Sequence, residues 1–499
     1  MSGAPRVETV AGWIEGERIA APDGSTLLRF LGIPYAAPPV GDRRFRAPAP
    51  ADPWTGVRAA RAFGPAAPQS VGVPSRLPSF SVEPWAEDCL TANVWTPGTA
   101  GARPVLVWIH GGAYLGGGSA MGVFDGARLA SEGDAVVVSV NYRLGALGYL
   151  AADATRDDAD ANCGLRDQAV ALAWVADHAA GFGGDPDRIT VFGESAGGGS
   201  VLHLCAGRSA PPVRRAIVQS GEPRTLTTDL AFRVRDALVR HAGIEASGPA
   251  QIAALRALPV PALLAAQDAT VAELALATGM MPFHPTFDDV LVDVDPIAGF
   301  TAGRARAIDL VIGNTRDELR LWADPRAQGI DDARLVSMLG RLAGDGVDPA
   351  RILAAYRADG RAGTGAEIWE AARTDAVLRV PALRIADAQV GAGATAFVYR
   401  FEWEAPGIGA AHAVDLPFTF GTFDRDGWGE AVGADSRAET VSRQMRAAWL
   451  AFAASGDPAH TGLPPWPRHD PGTRPTMCFA APSRLAHDPD GAARAAWMV

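Results

Sequence analysis

Lysine is missing from this chain: all 45 basic residues among its 499 are arginine. Because lysine codons are rich in A and T, we interpret this absence as a coding bias of GC-rich DNA rather than a functional feature. The 56 acidic residues outnumber the arginines and leave a formal net charge of −11 at pH 7. An acidic protein repels phosphate backbones and anionic lipids, so the charge argues against nucleic acid and against a membrane as partners.

Cysteine is scarce. The four cysteines, Cys89, Cys163, Cys205 and Cys478, are isolated and lack the spacing of a metal site. The N-terminal residues lack the apolar core of a signal peptide, and no apolar run approaches the roughly 20 residues of a membrane span. We therefore expect a cytoplasmic protein with reduced thiols. Nothing in the sequence implies a metal or another cofactor, and both a monomer and a dimer stay open.

Linkers are missing as well. No Ser/Gly tract, charge block, low-complexity run or internal repeat divides the chain, so we expect a single domain over 1–499. Apolar strands alternate with Ala-rich amphipathic segments, which is typical of an α/β fold. Apolar periodicity predicts helices at 165–179 and 441–454. The stretch from about 225 to 300, rich in Ala and Leu with scattered Pro, is predicted to be a helical insertion.

The pentapeptide GESAG at 193–197 stands between an apolar run, ITVF at 189–192, and a small-residue segment. A strand, a tight turn and a helix around Gly-x-Ser-x-Gly are the context of a nucleophile elbow, which exposes the hydroxyl of Ser195. A Cβ at Gly193 or Gly197 would collide with the neighbouring strand or helix. The helix behind Ser195 directs free N–H groups to the place where an oxyanion forms. Since the chain has 56 glycines, chance is the alternative for the pentapeptide by itself.

A second glycine-rich segment, HGGAYLGGG at 110–118, follows the apolar run VLVWI at 105–109. An oxyanion hole needs a second backbone donor from such a loop, and side chains there would block the substrate carbonyl. A phosphate-binding loop is one alternative, but the Walker lysine and the dinucleotide spacing Gly-x-Gly-x-x-Gly are both missing. A plain flexible loop is the other alternative.

Further motifs carry a family resemblance. They are FLGIPYA at 30–36, EDCLTANVW at 87–95, NYRLG at 141–145, and FGGDP at 182–186, which leads to GESAG. In this order they resemble the type-B carboxylesterases, in the carboxylesterase/cholinesterase family of α/β-hydrolases, over most of the chain. The resemblance implies a large, mostly parallel central sheet flanked by helices, with helical insertions over the active site. It also implies a serine esterase that works through an acyl-enzyme.

The resemblance places the acid of a catalytic triad in the loop GNTRDE at 313–318, at Glu318, with Asp317 as the close competitor. A buried strand is expected at 309–312, and functional residues of α/β sheets lie at the carboxyl ends of strands. The histidine is placed in GAAHAVDLPF at 409–418, at His412. The chain order Ser195, Glu318, His412 agrees with that of α/β-hydrolases.

Other histidines are weaker candidates for the catalytic base. His460, His469 and His487 lie in Pro- and Asp-rich stretches that are typical of surface turns. His110 belongs to the glycine-rich loop, where a structural hydrogen bond is expected. His284 precedes the acid and is a candidate for the pocket wall.

Residues around the triad receive supporting roles. The resemblance assigns the oxyanion hole to three backbone N–H groups, those of Gly112, Ala113 and Ala196. Ala113 stands where glycine is often found, and its methyl group is expected to crowd esters of tertiary alcohols. Ser220 matches a family position that supports the acid. Glu194 has two alternatives: it tunes the field around His412, or it hydrogen-bonds buried water.

The substrate pocket draws on segments far apart in the chain. A family segment at 283–289, FHPTFDD, has Asp289 in place of a glycine, and its alignment puts acyl-pocket positions at Gly279 and Met281. Four aromatic residues are further candidates: Tyr114, Phe283, Trp322 and Phe418. Plain core packing is an equally good interpretation of each.

Charged residues also occur in segments that look buried. They are Arg143, Glu87, Asp88 and Asp167. Because buried charges are normally paired, we expect ion pairs that hold the elements beneath the active site.

Together these features predict a hydrolase of small to medium, uncharged carboxylic esters. Amide, carbamate or lactone hydrolysis, and acyl transfer to an alcohol, are alternatives because they share the acyl-enzyme step. A binding protein without activity is the remaining alternative. Such relatives usually lack the serine or the histidine, whereas Ser195, Glu318 and His412 are all present here.

Overall fold

The structure is a computed structural model that describes residues 3–70, 77–153, 157–209, 211–275, 277–278, 281–323, 327–344, 346–360 and 363–498. Its strands are β1 (Arg6–Thr9), β2 (Gly12–Glu15), β3 (Glu17–Ala20), β4 (Thr26–Pro34), β5 (Val57–Ala59), β6 (Thr91–Thr96), β7 (Arg103–Ile109), β8 (Val136–Val140), β9 (Gly184–Glu194), β10 (Arg215–Gln219), β11 (Asp309–Thr315), β12 (Ala396–Phe401), β13 (Pro475–Phe479) and β14 (Arg484–His487).

The helices lie between and after these strands. They are α1 (Ala127–Glu132), α2 (Gly145–Tyr149), α3 (Cys163–His178), α4 (Ala196–Ala206), α5 (Thr228–His241), α6 (Pro249–Ala257), α7 (Val260–Leu274), α8 (Pro296–Thr301), α9 (Asp332–Ala343), α10 (Pro349–Asp359), α11 (Gly365–Thr374), α12 (Val380–Gly391), α13 (Leu416–Phe420), α14 (Trp428–Ala431), α15 (Ser436–Ser455) and α16 (Gly491–Trp497). Short 3₁₀ helices add single turns at Gly41–Arg43, Gly122–Phe124, Ala179–Phe182 and Glu318–Trp322.

An 11-stranded sheet forms the centre of the molecule, in the order β14-β13-β12-β11-β10-β9-β7-β8-β6-β4-β3. Seven neighbouring strands pair in parallel, in the order β8, β7, β9, β10, β11, β12 and β13. The antiparallel pairs lie at the two ends of the sheet. β1, β2 and β5 form a separate 3-stranded sheet. The prediction of a large, mostly parallel central sheet flanked by helices is therefore confirmed.

The central strands contain long apolar runs because both faces of the sheet are covered. In β7, Val105 and Val107 belong to one buried cluster, which includes residues of α3 and α4. The alternate residues, Leu106 and Trp108, belong to a second buried cluster, which includes residues of α15. Successive side chains of a strand point to opposite faces, so one short run contributes to two cores.

The parallel register aligns the carboxyl ends of four neighbouring strands. Glu194 at the end of β9 is paired with Gln219 in β10, and Gln219 is paired with Gly313 in β11. Gly313 is in turn paired with Tyr399 in β12. The loops that follow these four strands therefore leave the same edge of the sheet, where α/β proteins place their functional residues.

The two helices predicted from periodicity are confirmed as α3 and α15, which begin two and five residues earlier than expected. The segment predicted as a helical insertion, 225–300, contains α5, α6, α7 and α8. Its role as an insertion in a single domain stays a prediction. Among the described residues no single helix is long and apolar enough to cross a membrane, although α6 and α7, bent by 118°, pass that test as a pair.

Buried ion pairs hold the layers together, as expected for most of the charged residues named above. Arg143 and Asp167 are 2% and 0% exposed and pair at 2.6 Å, and Asp167 also accepts a hydrogen bond from the Arg143 backbone N–H at 3.1 Å. Glu87 pairs with Arg44 at 2.6 Å. The expectation was wrong for Asp88, which is exposed, because the chain turns outward at this residue before the buried Cys89.

Two further sequence expectations concern titratable side chains. His469 was expected in a surface turn, but it is buried and its Nε2 lies 2.8 Å from Oδ1 of Asp387, so that expectation was wrong. All four cysteines are buried and unpaired. Burial raises the pKa of the Cys163 thiol to about 11, which keeps it protonated and unreactive at neutral pH.

Removal of one partner of the Arg143–Asp167 pair tests its contribution to stability. Arg143→Met would leave the Asp167 carboxylate buried without its cation, at a cost of about 3–5 kcal/mol in the free energy of unfolding. Urea and thermal unfolding measure this change. Arg6→Met, which breaks an exposed pair with Glu15, is the control; an equally small loss in both variants would contradict the prediction.

Candidate active site

Ser195 occupies a strained turn between β9 and α4. Its backbone has φ 56° and ψ −122°, a left-handed φ that non-glycine residues rarely adopt. A Cβ on Gly197 would lie 2.0 Å from the carbonyl oxygen of Ile109, and one on Gly193 would lie 2.7 Å from the carbonyl carbon of Gly197. The two glycines therefore allow the turn to pack directly on β7 and α4. The Ser195 side chain is half-buried, and its hydroxyl makes no hydrogen bond with another described residue.

The glycine-rich loop after β7 lies against this turn. A Cβ on Gly111 would come within 3.1 Å of the Ser195 Cβ. Gly112 and Ala113 have φ values of 114° and 55°, and the Gly112 carbonyl accepts hydrogen bonds from the next turn of the loop, from Leu115 N at 2.9 Å and Gly116 N at 3.0 Å. Within the described ranges, the N–H groups of Gly112, Ala113 and Ala196 have no acceptor. The loop and the helix start thus direct free donors beside Ser195.

His110 supports the loop from below. Its Nδ1 lies 2.8 Å from the Gly111 carbonyl oxygen, and its ring stacks on Tyr142 with a centroid distance of 4.5 Å. The Tyr142 hydroxyl donates to the His110 carbonyl at 2.7 Å. Burial lowers the pKa of His110 to about 4, so the ring is neutral at pH 7. This agrees with the structural role expected for His110.

Glu318 is completely buried, in the loop after β11. Its Oε1 accepts hydrogen bonds from the Ser220 hydroxyl at 2.6 Å and from the Thr315 N–H at 2.7 Å. Its Oε2 lies 2.5 Å from Nδ1 of His412. Asp317, the competitor for the acid, instead accepts hydrogen bonds from Arg316 and from the Ala410 N–H. Glu318, and not Asp317, is therefore the carboxylate that contacts Nδ1 of His412.

His412 lies between two carboxylates. Its Nε2 is 3.1 Å from Oε1 of Glu194, and its Nδ1 contacts Glu318. Burial of the imidazole opposes protonation, but the charges of Glu194 and Glu318 outweigh it and raise the pKa of His412 to about 9. Of the two alternatives for Glu194, the position of its carboxylate favours an electrostatic action on His412.

A third buried carboxylate, Asp415, follows His412 on the same loop. Its Oδ2 accepts a hydrogen bond from Gln219 Nε2 at 2.8 Å. Burial raises the pKa of Asp415 to about 6 and that of Glu194 to about 8. Three buried carboxylates thus act on one imidazole, and burial makes the negative charges of Glu194 and Asp415 more costly.

The residues proposed for the substrate pocket fall into different places. Trp322 is 50% exposed, and its ring lies 5.1 Å from that of His412. Tyr114 is buried, with its ring 4.9 Å from that of His284. Phe283 is fully buried and Met281 is half-buried, and both pack in the first of the two clusters. Gly279 lies outside the described residues.

Phe418 is not a pocket residue in this structure. It is fully buried, and its ring packs 4.9 Å from Phe401, 5.5 Å from Trp403 and 4.9 Å from Phe423. Its assignment to the pocket is corrected to core packing, because α13 turns this side chain toward the sheet.

Several polar residues of the site carried no role in the sequence interpretation. Asp415 and Gln219 lie behind His412, as described above. Glu222 and Arg224 follow Ser220, and their side chains pair at 3.2 Å. The sequence offers a weak indication of each: a charged or amide side chain directly after, or within, a strongly apolar segment.

Metal ligands are the remaining kind of site to consider. Within the described part of the chain, no group of three His, Cys, Asp or Glu side chains is arranged to hold a metal ion.

Comparison with known proteins places this chain in a family. The model of the carboxylesterase family matches residues 3–495. The chain is 36% identical over 483 residues to a para-nitrobenzyl esterase of Bacillus subtilis, covering 93% of this chain and 94% of the relative. It is 37% identical over 483 residues to a phenmedipham hydrolase of Pseudarthrobacter oxydans, covering 93% and 92%.

Solved structures agree with these relatives. A carboxylesterase of Geobacillus stearothermophilus superposes with a TM-score of 0.87 at 36% identity, covering 99% of each chain. A PNB esterase superposes with a TM-score of 0.85 at 33% identity, covering 99% of this chain and all of the other. The chain therefore has the α/β-hydrolase fold, belongs to the carboxylesterase family and is a carboxylic ester hydrolase.

Proposed function

We propose that Ser195, His412 and Glu318 hydrolyse carboxylic esters through an acyl-enzyme. The observation that supports this most directly is the Glu318 carboxylate, which is buried, fixed by two donors and in contact with Nδ1 of His412. A carboxylate in this position fixes the orientation of the imidazole through Nδ1 and stabilises the imidazolium that forms.

In the first half of the reaction, Nε2 of His412 accepts the hydroxyl proton of Ser195 as Oγ attacks the ester carbonyl carbon. The carbonyl oxygen becomes an oxyanion and receives hydrogen bonds from the free N–H groups of Gly112, Ala113 and Ala196. When the tetrahedral intermediate collapses, His412 gives its proton to the leaving alcohol. The acid remains bound to Ser195 as an ester.

In the second half, a water molecule takes the place of the alcohol. His412 accepts its proton, the oxyanion forms again in the same place, and Ser195 leaves with the proton from His412. Small and medium, uncharged esters are the proposed substrates. The four unpaired, buried cysteines support a reducing compartment, and we infer the cytoplasm.

Removal of the nucleophile tests this proposal. Ser195→Ala is expected to lose on the order of 10⁶-fold in kcat on p-nitrophenyl acetate, butyrate and octanoate, and to lose fluorophosphonate labelling. Ser455→Ala, which changes an exposed serine at the end of α15, is the control and retains both. A wild-type protein with neither turnover nor labelling would contradict the proposal.

The pH dependence tests the electrostatics of His412. The imidazole accepts a proton only when it is neutral, so kcat/KM rises with pH through the pKa of His412. Since the two carboxylates raise this pKa above the ordinary value of 6.5, we expect the midpoint above pH 6.5. Glu194→Gln removes one negative charge and shifts the midpoint to lower pH. Asp317→Asn removes a carboxylate that does not contact His412, so its midpoint stays at the wild-type value. Equal midpoints in wild type, Glu194→Gln and Asp317→Asn would refute this account.

The methyl group of Ala113 gives a prediction on selectivity. Ala113→Gly removes this group beside the oxyanion donors and also relieves the left-handed φ of 55°. The kcat/KM ratio of a tertiary-alcohol acetate to a primary-alcohol acetate is expected to increase about tenfold, as for one methyl group in a pocket. Rates on tert-butyl and n-butyl acetate measure this ratio, and an unchanged ratio would rule out the role of Ala113.

A further inference from the structure

The glycine-rich loop after β7, residues 110–118, has an irregular backbone. Gly112, Ala113, Tyr114 and Gly117 have φ values between 55° and 114°, which a β-strand does not allow. Five of the nine residues are glycine, the residue with the most backbone freedom to lose on folding. An oxyanion hole requires donors that are in place before charge develops. The loop therefore needs partners outside itself to hold its donors in position.

The far end of the loop folds back on the end that carries the donors. A Cβ on Gly112 would overlap the carbonyl oxygen of Gly116, and one on Gly117 would lie 2.7 Å from the carbonyl oxygen of Gly111. Gly111 itself packs on the turn of Ser195, as described above. A displacement of Gly117 would therefore be passed directly to the backbone beside the nucleophile.

One buried side chain, that of Gln69, holds the far end of the loop. It is 4% exposed. The Gly117 N–H donates to Oε1 of Gln69 at 3.0 Å, and Nε2 of Gln69 donates to the Gly117 carbonyl at 2.9 Å. The amide thus exchanges two hydrogen bonds with one residue of the loop, as a residue of a neighbouring antiparallel strand would.

The same amide ties the loop to two other segments of the chain. Nε2 of Gln69 also donates to the Ala67 carbonyl at 3.0 Å, and Oε1 also accepts from the Val82 N–H at 3.1 Å. A primary amide has two donor hydrogens and two acceptor lone pairs. Gln69 uses all four, and every partner is a backbone group. Loss of the amide would leave these buried groups without their partner, which is costly.

We propose that Gln69 positions the oxyanion hole. By fixing Gly117 it holds the donors of the loop, the N–H groups of Gly112 and Ala113, in place before the substrate binds. This inference rests on the proposed function and adds to it a residue that acts through the loop. Because the oxyanion exists only after the attack of Ser195, loss of Gln69 is expected to weaken binding of the transition state more than binding of the substrate.

Removal of the amide tests this inference. Gln69→Met keeps the length of the side chain but removes its donors and acceptors. We expect kcat on p-nitrophenyl butyrate to fall about 10- to 100-fold, since a small displacement of catalytic groups has an effect of this order. KM is expected to change less than about threefold. The inhibition constant of an alkyl trifluoromethyl ketone, whose oxygen becomes an oxyanion when Ser195 adds to it, rises by the factor by which kcat/KM falls.

Gln389→Met is the matched control. Gln389 is also buried, in α12, and its Nε2 donates to two backbone carbonyls, those of Ala305 at 3.1 Å and Ile308 at 2.6 Å. Both variants lose buried hydrogen bonds, and urea unfolding measures the loss of stability in each. Only Gln69→Met is expected to lose kcat. Wild-type kcat in Gln69→Met, or an equal loss of kcat in both variants, overturns the inference.

Hydrogen exchange of the wild-type protein keeps the test decisive should Gln69→Met fail to fold. Without any ligand, the Gly117 amide is expected to exchange far more slowly than in an unfolded peptide, because Oε1 of Gln69 accepts its hydrogen. Mass spectrometry with fragmentation that resolves single amides measures this rate. Exchange of Gly117 at the rate of an unfolded peptide overturns the inference.

This inference and the proposed function fail in different ways. A wild-type protein that neither turns over p-nitrophenyl esters nor reacts with a fluorophosphonate refutes the proposed function and this inference with it. An active wild type together with an equally active Gln69→Met refutes only the inference.

Discussion

The carboxylate of Glu318 is the point on which the site depends. Its Oε1 accepts one hydrogen bond from Ser220, after β10, and one from Thr315, at the end of β11, while its Oε2 contacts His412, after β12. Ser195 follows β9, the next strand in the sheet. Four adjacent parallel strands therefore deliver the groups in spatial order, and the backbone register of the sheet sets their separations.

The same arrangement concentrates negative charge. Glu194, Glu318 and Asp415 are all buried around the single imidazole of His412, and burial raises the pKa of Glu194 and of Asp415. Carboxylates in this environment are stabilised by positive charge, so they favour the imidazolium that forms during acyl transfer. Burial of the carboxylates costs free energy in the resting protein, and the same burial favours the intermediate in which His412 is positively charged.

Much of the fold and of the candidate site could be predicted from the sequence, because the ends of the strands can be recognised in it. Apolar runs at 189–192 and 309–312 mark two strands, and Ser195 and Glu318 follow them within six residues. The parallel sheet follows from the same alternation of strands and helices. Phe418 shows the limit of prediction from sequence. It lies close to His412 in the chain, but its side chain points into the core because α13 begins between the two residues. Side-chain direction in such short elements depends on packing partners, which the local pattern does not contain.

The roles of residues on loops are still harder to predict from the sequence. Glu222 and Arg224 sit in a segment without periodicity, so nothing local reveals that two nitrogens of Arg224 are buried or that Trp322 covers His412. The contact of Trp322 with His412 arises where the loops after β11 and β12 meet. Loop polarity thus becomes informative only after the fold is known.

The absence of lysine from the ion pairs of this fold has a consequence for alkaline conditions. Lysine loses its charge near pH 10, whereas arginine stays protonated above pH 12, and this chain contains no lysine. A buried pair such as Arg143–Asp167 therefore keeps both charges at alkaline pH. The scaffold stays electrostatically intact in the pH range where a neutral, proton-accepting His412 is most abundant.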